Sequence, residues 1–257
     1  MNNSIANINI YLSRMQCGMD DKLWWVTKTP VKKVVDFGCA DGTLLKHLRD
    51  MNVNYELIGV DVSEEMCKRA SENVPEARIM HTSEFFNNNE NWQDAILILS
   101  SVVHEIYSYE ESPEALLQKL FKMGFYQIAI RDMFLSETEA NKSVSYHDCS
   151  NVVNYSNDRQ LSTFESHWGH VGVHHNFCHF LLKYLYKENW DREVRENYLP
   201  IDLEPFLRTI PDSYTIEHVE HYCHPYIKER VLQDFFINFH ERTHAKILLT
   251  RKYGRIN

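Results

Sequence analysis

The stretch Val34–Leu45, VVDFGCADGTLL, decides the fold. An apolar, β-branched run carries an acid at Asp36, breaks at Gly38, Cys39, Ala40, Asp41 and Gly42, and then resumes with helical period. A strand that feeds a helix through such a turn is the first unit of an open parallel sheet, where ligands bind outside the carboxyl ends of the strands. Glycine there lets the backbone approach a ligand closely, and the helix N-terminus behind it offers unpaired N–H groups. The next apolar segment, ELIGV, ends at Asp61, 23 positions after Gly38, where an acid can accept hydrogen bonds from a ribose diol. Loop and acid together point to an adenosine-type ligand.

Outward from this stretch the chain alternates. Ile5, Ile8, Leu12 and Met15 predict an amphipathic helix over 4–16, followed by DDKLWWV. KVVDF, ELIGV, ARIM, DAILILS and FYQIAI predict five strands, the fourth apolar enough to be covered on both faces. Between them, helices are predicted from Thr43, from Glu64 with Ser63 as N-cap and Pro75 as stop, and from Glu114 behind Ser112 and Pro113. SEFFNNNENW reads as a polar loop. Five strands separated by helices predict an α/β, doubly wound parallel sheet with the loops after each strand along one edge. Residues 133–163 resist assignment, whereas Phe177, Phe180, Leu181, Tyr184 and Leu185 form a helical stripe. PIDLEPFLRTI reads as a helix, and YTIEHVEHY and HAKILLTRKY as two final strands separated by 223–243.

Composition narrows the function. The chain has 257 residues, 44% of them apolar, enough for one globular domain with an appendage. A net charge of −9 does not favour duplex DNA, whose binding needs clustered Lys and Arg. The six cysteines form no CxxC pair and suit a reducing compartment. AILILSSVV is about half the ~20 residues a bilayer span needs, and MNNSIANINIYL lacks the features of a signal peptide. The expectation is a soluble, cytoplasmic protein without a membrane partner.

Gly38, Ala40 and Gly42 are spaced two and two, so the dinucleotide pattern G-x-G-x-x-G is not met. The segment instead resembles motif I of class I S-adenosylmethionine (SAM)-dependent methyltransferases, D-x-G-x-G-x-G, with Asp36, Gly38 and Gly42 matching and Ala40 replacing the middle glycine. IGVDVSEEM resembles the second motif, whose acid, here Asp61, holds the ribose hydroxyls. HTSEFF lies where adenine is recognised, with Thr82, Ser83 and Glu84 as competing contacts. DAILILSSVVHEIYSY resembles the fourth strand and loop of the small-molecule branch, and IAIRDM the end of the fifth strand; the whole likeness spans about 31–135.

The resemblance implies SAM as cofactor, contacted by Asp36, Gly38, Cys39, Ala40, Gly42, Asp61, Val62 and Ser100. It implies a seven-stranded, mostly parallel sheet closed by an antiparallel C-terminal hairpin. The chain would be one domain: a lid over 1–30, a cofactor half over 31–135, a substrate-side helical insertion over 136–199, and a closing helix and strands over 200–257. In the lid, Tyr11 and Trp24 would shield the sulfonium. A sulfonium is already an activated methyl donor, so the protein mainly aligns a nucleophile and, where needed, removes a proton. His104 is the candidate base, ahead of its neighbour Glu105. Arg131 and Asp132 would surround the methyl, and Tyr146, His147, Trp168, His174 and His175 of the insertion would line a pocket for a compact small-molecule acceptor. The insertion has a second reading as a packing or dimerisation element.

His167, His170, His174, His175 and His179 crowd one stretch, but Gly169 and Gly172 interrupt it and no HExxH accompanies it, so no metal is expected. The other function classes are an RNA or protein methyltransferase of the same fold, and a non-catalytic SAM-binding protein, for which Ala40 is the hint. Neither an (N/D)PP(Y/F/W) segment nor a Pro-Cys nucleophile with Glu-Asn-Val is present, which excludes the two best-marked classes of DNA methyltransferase.

Overall fold

The structure, a computed structural model, describes residues 18–51, 54–140 and 142–252. Tyr11 and the helix predicted over 4–16 lie outside the described residues. The strands are β1 (Lys33–Phe37), β2 (Glu56–Asp61), β3 (Arg78–His81), β4 (Ala95–Ser100), β5 (Gln127–Met133), β6 (Tyr214–Tyr222) and β7 (His244–Arg251). They form one seven-stranded sheet in the order β3-β2-β1-β4-β5-β7-β6. The first five pair in parallel, and β7 runs antiparallel to both β5 and β6. Strand β1 lies between β2 and β4, so the connections leaving it diverge and open a crevice at its carboxyl end.

Helix α1 (Met19–Lys22) precedes the sheet. Helices α2 (Thr43–Asp50), α3 (Glu64–Asn73), α4 (Thr82–Asn87), α5 (Val103–Tyr109) and α6 (Pro113–Lys122) connect the parallel strands. Ser63 caps α3 by accepting from the Met66 N–H at 3.3 Å. The start of the stretch read as a polar loop is helix α4, because Phe85 is fully buried against Phe37 and Trp92. That packing outweighs the turn preference of the asparagines behind it. The β4 strand is buried at five of six positions, which is why it reads as an unbroken apolar run.

The insertion folds into α7 (Glu137–Ala140), α8 (Tyr146–Tyr155), α9 (Asp158–Trp168), α10 (His174–Tyr184) and α11 (Trp190–Glu193). Helix α12 (Leu203–Arg208) leads into β6, and α13 (Pro225–Phe235) lies between β6 and β7. The separator 223–243 therefore holds a helix whose Ile227, Val231 and Phe235, one turn apart, share a core with Phe180, Leu181 and Trp190 of the insertion. Two further cores cover the two faces of the sheet. No helix among the described residues is long and apolar enough to cross a membrane.

Candidate active site

The loop after β1 is built to keep its backbone close to a ligand. Gly38 sits at φ +80°, and a Cβ there would fall 2.7 Å from Val102 Cγ2. Its N–H and that of Cys39 both donate to the Val60 carbonyl, tying the loop to β2. Ala40 takes the left-handed conformation despite its Cβ, at φ 47°, which costs an alanine about 1 kcal/mol. Its N–H donates to Asp61 Oδ2 at 2.9 Å, while Asp61 Oδ1 accepts from the Ser63 N–H at 2.9 Å. One carboxylate thus stitches the two cofactor loops together, and each oxygen keeps a second lone pair.

A cavity of about 380 Å³ opens beyond this loop, with Gly38, Ala40, Asp61, Val62, Thr82 and Ser100 on its cofactor side. Of the three candidates for adenine, only Thr82 lines it; Ser83 and Glu84 point outward from α4, and Ser83 is bonded to His81. Asp36 and Cys39 face instead a small recess shared with Met19, Lys22 and Ser100. Gly42 lines neither space. It lets α2 press on α3, where a Cβ would lie 3.2 Å from Ala70 Cα. The Ser100 hydroxyl, common to both spaces, is buried without a hydrogen-bond partner.

The segment before β1 contributes a cation rather than an aromatic cover. Trp24 packs at a tilt against His218 of β6 and lines no part of the cavity, and Trp25 is fully buried in the core. Lys22 lines both cavity and recess, and burial lowers its pKa to about 8 against the pull of Asp36, Asp41 and Asp132. Burial raises Asp36 to about 7, with Lys22 opposing. Asp21 anchors the segment to the hairpin through Arg131 Nε at 2.9 Å, Tyr222 Oη at 2.6 Å and Lys246 Nζ at 2.7 Å. Arg131 lines the cavity, but its guanidinium is held by Asp21 and, at 2.9 Å, by Ser101 Oγ.

Behind the loop, α5 brings His104 and Glu105 to the cavity. Asp132 is fully buried and does not meet the cavity, so it positions rather than contacts a substrate. Its Oδ2 accepts the Val103 N–H at 2.6 Å, capping α5, and its Oδ1 lies 2.7 Å from His104 Nδ1. His104 Nε2 is 3.2 Å from Glu196 Oε1. Burial alone would lower the imidazole pKa, but the Asp132 and Glu196 carboxylates outweigh it and hold the pKa well above the ordinary value. An imidazolium has no lone pair to accept a proton, so at neutral pH His104 carries the charge opposite to what a base requires. Burial and the like charge of Glu196 raise Glu105 to about 7, which gives it the better-matched affinity for a proton.

The acceptor-side wall differs from the one expected. Tyr146 is 89% exposed, His147 is on the outer surface, His174 pairs with Glu241 and His175 bonds the Leu199 carbonyl. Trp168 donates its indole N–H to the Val194 carbonyl, and none of the five reaches the cavity. The insertion reaches it through Leu182, Leu185, Tyr186, Glu193, Glu196 and Tyr198, and the hairpin through His224, Ile227 and His244. The readable signal was WDREVREN, where buried Glu193 and Glu196 are one turn apart. Of the clustered histidines, His175 meets His179 at 6.0 Å between ring centroids, while His174 turns to Glu241 and His167 and His170 lie exposed. Among the described residues the metal-capable group is His104, Glu105 and Glu196, with ligand atoms within 4.8 Å of one another.

Sheet order and the strand-loop-helix at its crevice define a class by fold: the fold is that of the Rossmann-like SAM-dependent methyltransferases. The methyltransferase-domain family model matches residues 35–123. No curated protein sequence matches the chain. Among solved structures, the methyltransferase domain of bacterial CtHen1-C is similar at 12% identity, covering 91% of this chain and 97% of its own, with a TM-score of 0.53. The plantazolicin methyltransferase BamL, solved with a triazolic desmethylPZN analog and SAH, is similar at 10% identity, covering 92% of this chain and 84% of its own, with a TM-score of 0.52. Magnesium protoporphyrin IX methyltransferase from Synechocystis, solved with SAH, gives 14% identity, 93% and 84% coverage and a TM-score of 0.51. At these identities the likeness is one of fold.

Proposed function

We infer that this chain transfers the methyl group of SAM to a compact small-molecule acceptor, in the cytoplasm and away from membranes and duplex DNA. The observation that carries the reading is the single cavity joining the Gly38–Asp61 crevice to a chamber walled by Leu182, Leu185 and Tyr198. Its cofactor side fits the donor. Asp61 has lone pairs for ribose hydroxyls, Thr82 and Val62 border the space for the base, and the unpartnered Ser100 hydroxyl lies where the two spaces meet. Lys22 has no ion pair among the described residues and offers a charge to a carboxylate at the amino-acid end. SAM supplies an electrophilic methyl on a sulfonium; the protein's work is to hold the nucleophile in line with it and exclude water. The acidic chamber and net charge of −9 suit a discrete acceptor better than a nucleic-acid backbone.

A labelled-methyl assay over separate metabolite, RNA and protein pools tests this reading. Label in the metabolite pool is the expected result. Label confined to RNA or protein would move the acceptor to a macromolecule, and SAM binding without transfer to any pool would make the chain a binding protein.

A further inference from the structure

Three carboxylates converge on the acceptor chamber with too little positive charge to balance them. Glu105 comes from α5, Glu193 from the end of α11 and Glu196 from the turn beyond it. Arg192 serves all three: Nη1 lies 2.7 Å from Glu193, and Nη2 lies 3.5 Å from both Glu105 and Glu196. His104 is already matched by Asp132. Lys183 is fully buried, spends its Nζ on the carbonyls of Glu193 and Glu196, and has its pKa lowered to about 7 by burial, so it supplies only part of a charge. The chamber therefore sets three carboxylates against one guanidinium and a buried lysine.

A second observation points the same way. Glu196 is 1% exposed, yet its Oε1 receives no hydrogen bond. His104 Nε2 lies 3.2 Å from it, off the line of its N–H. A buried carboxylate oxygen that lacks a donor, on a side chain that lines the cavity, is an acceptor that a guest's N–H can satisfy.

Resting on the methyltransferase reading, we propose that the acceptor is a primary or secondary amine that enters as an ammonium ion and docks its N–H groups on Glu196 and Glu105. Its carbon skeleton lies along Leu182, Leu185 and Tyr198. Glu105 takes a proton from the ammonium, and the freed nitrogen lone pair forms a bond to the methyl carbon. The carbon–sulfur bond breaks with its electron pair going to sulfur, leaving an N-methylammonium, S-adenosylhomocysteine and a protonated Glu105. A divalent metal fits this group of side chains less well. The ligand atoms lie within 4.8 Å of one another, but the His104 imidazole, held protonated by Asp132 and Glu196, has no lone pair to give an ion. The Arg192 guanidinium, 3.5 Å from two of the carboxylates, would also face a double positive charge.

Calorimetric titration into protein saturated with S-adenosylhomocysteine tests the proposal, using matched sets of benzylamine, benzyl alcohol and benzoate and their hexyl counterparts. At least one amine should bind tenfold or more tightly than its alcohol twin. Glu196→Gln should bring the pair to within threefold while leaving the affinity for S-adenosylhomocysteine unchanged. In parallel, label from SAM incubated with a charge-sorted metabolite extract should appear in the cationic fraction. Label in the neutral or anionic fraction, or equal binding of amine and alcohol together with no label in cations, overturns the proposal. Manganese binding that is lost in Glu196→Gln, with no amine preference, overturns it in favour of a metal. Absence of any binding of S-adenosylhomocysteine would instead sink the methyltransferase reading beneath it.

Discussion

Asp132 Oδ1 stands 2.7 Å from His104 Nδ1 while its other oxygen takes the Val103 N–H, so one buried carboxylate both orients the imidazole and caps the helix that carries it. With Glu196 on the opposite nitrogen, His104 is held as a cation between two acids. Removing the cation strands two buried carboxylates. His104→Asn should therefore lower stability by about 3 kcal/mol, read by urea unfolding at pH 7. A fully stable variant with lost turnover would return His104 to the role of base.

The pH dependence of methyl transfer should follow Glu105. Its pKa is raised to about 7, chiefly by burial, and an ionised carboxylate is the form that accepts a proton. Activity should rise between pH 6 and 8 in the wild type. Glu105→Gln, assayed across the same range, should be slow and flat; a variant that keeps the rising limb would place the titrating group elsewhere.

Asp36 should make the folded chain less stable as pH rises. Burial raises its folded pKa to about 7, above its unfolded value near 3.8, so its stabilising effect is complete below about pH 3.8 and is lost as pH climbs through 7. Asp36→Asn removes that loss. The variant's advantage in thermal unfolding should be small at pH 4 and grow to its maximum above pH 7; an advantage that shrinks with pH would contradict the burial.

Two loop positions should respond in opposite directions. Gly38→Ala forces a Cβ to within 2.7 Å of Val102 Cγ2 at a φ of +80°, and should destabilise by about 2 kcal/mol or more. Ala40→Gly relieves a left-handed alanine and should stabilise by about 1 kcal/mol or less, since the unfolded chain also gains freedom. Circular-dichroism melts of both variants decide the signs.

The cofactor half was legible because each signal there is local. β-branched runs bounded by Gly and Asp mark the strands, and Asp61 ends β2 where the crevice opens. The acceptor side was not legible because it is assembled by packing between distant segments. His174 and His175 look like pocket residues in the sequence, but the helix that carries them turns one toward Glu241 and the other toward the Leu199 carbonyl. Glu193 and Glu196 stand in the charged stretch WDREVREN, and only the core around Trp190 and Phe180 draws them inward. Helix α5 escaped notice because its N-terminus is capped from another strand, by Asp132, rather than by a residue of its own stretch.

Asp61 is the residue on which cofactor binding turns, because it both joins the two cofactor loops and presents an acid to the crevice. Calorimetric titration should find that wild-type protein binds SAM and S-adenosylhomocysteine at one site per chain, with no preference for a nicotinamide dinucleotide. Asp61→Ala should weaken both by about tenfold or more, the ~1.5–3 kcal/mol of hydrogen bonds to a charged acceptor. Unchanged affinity in a folded Asp61→Ala variant, or a wild type that takes the nicotinamide dinucleotide and not SAM, would contradict it.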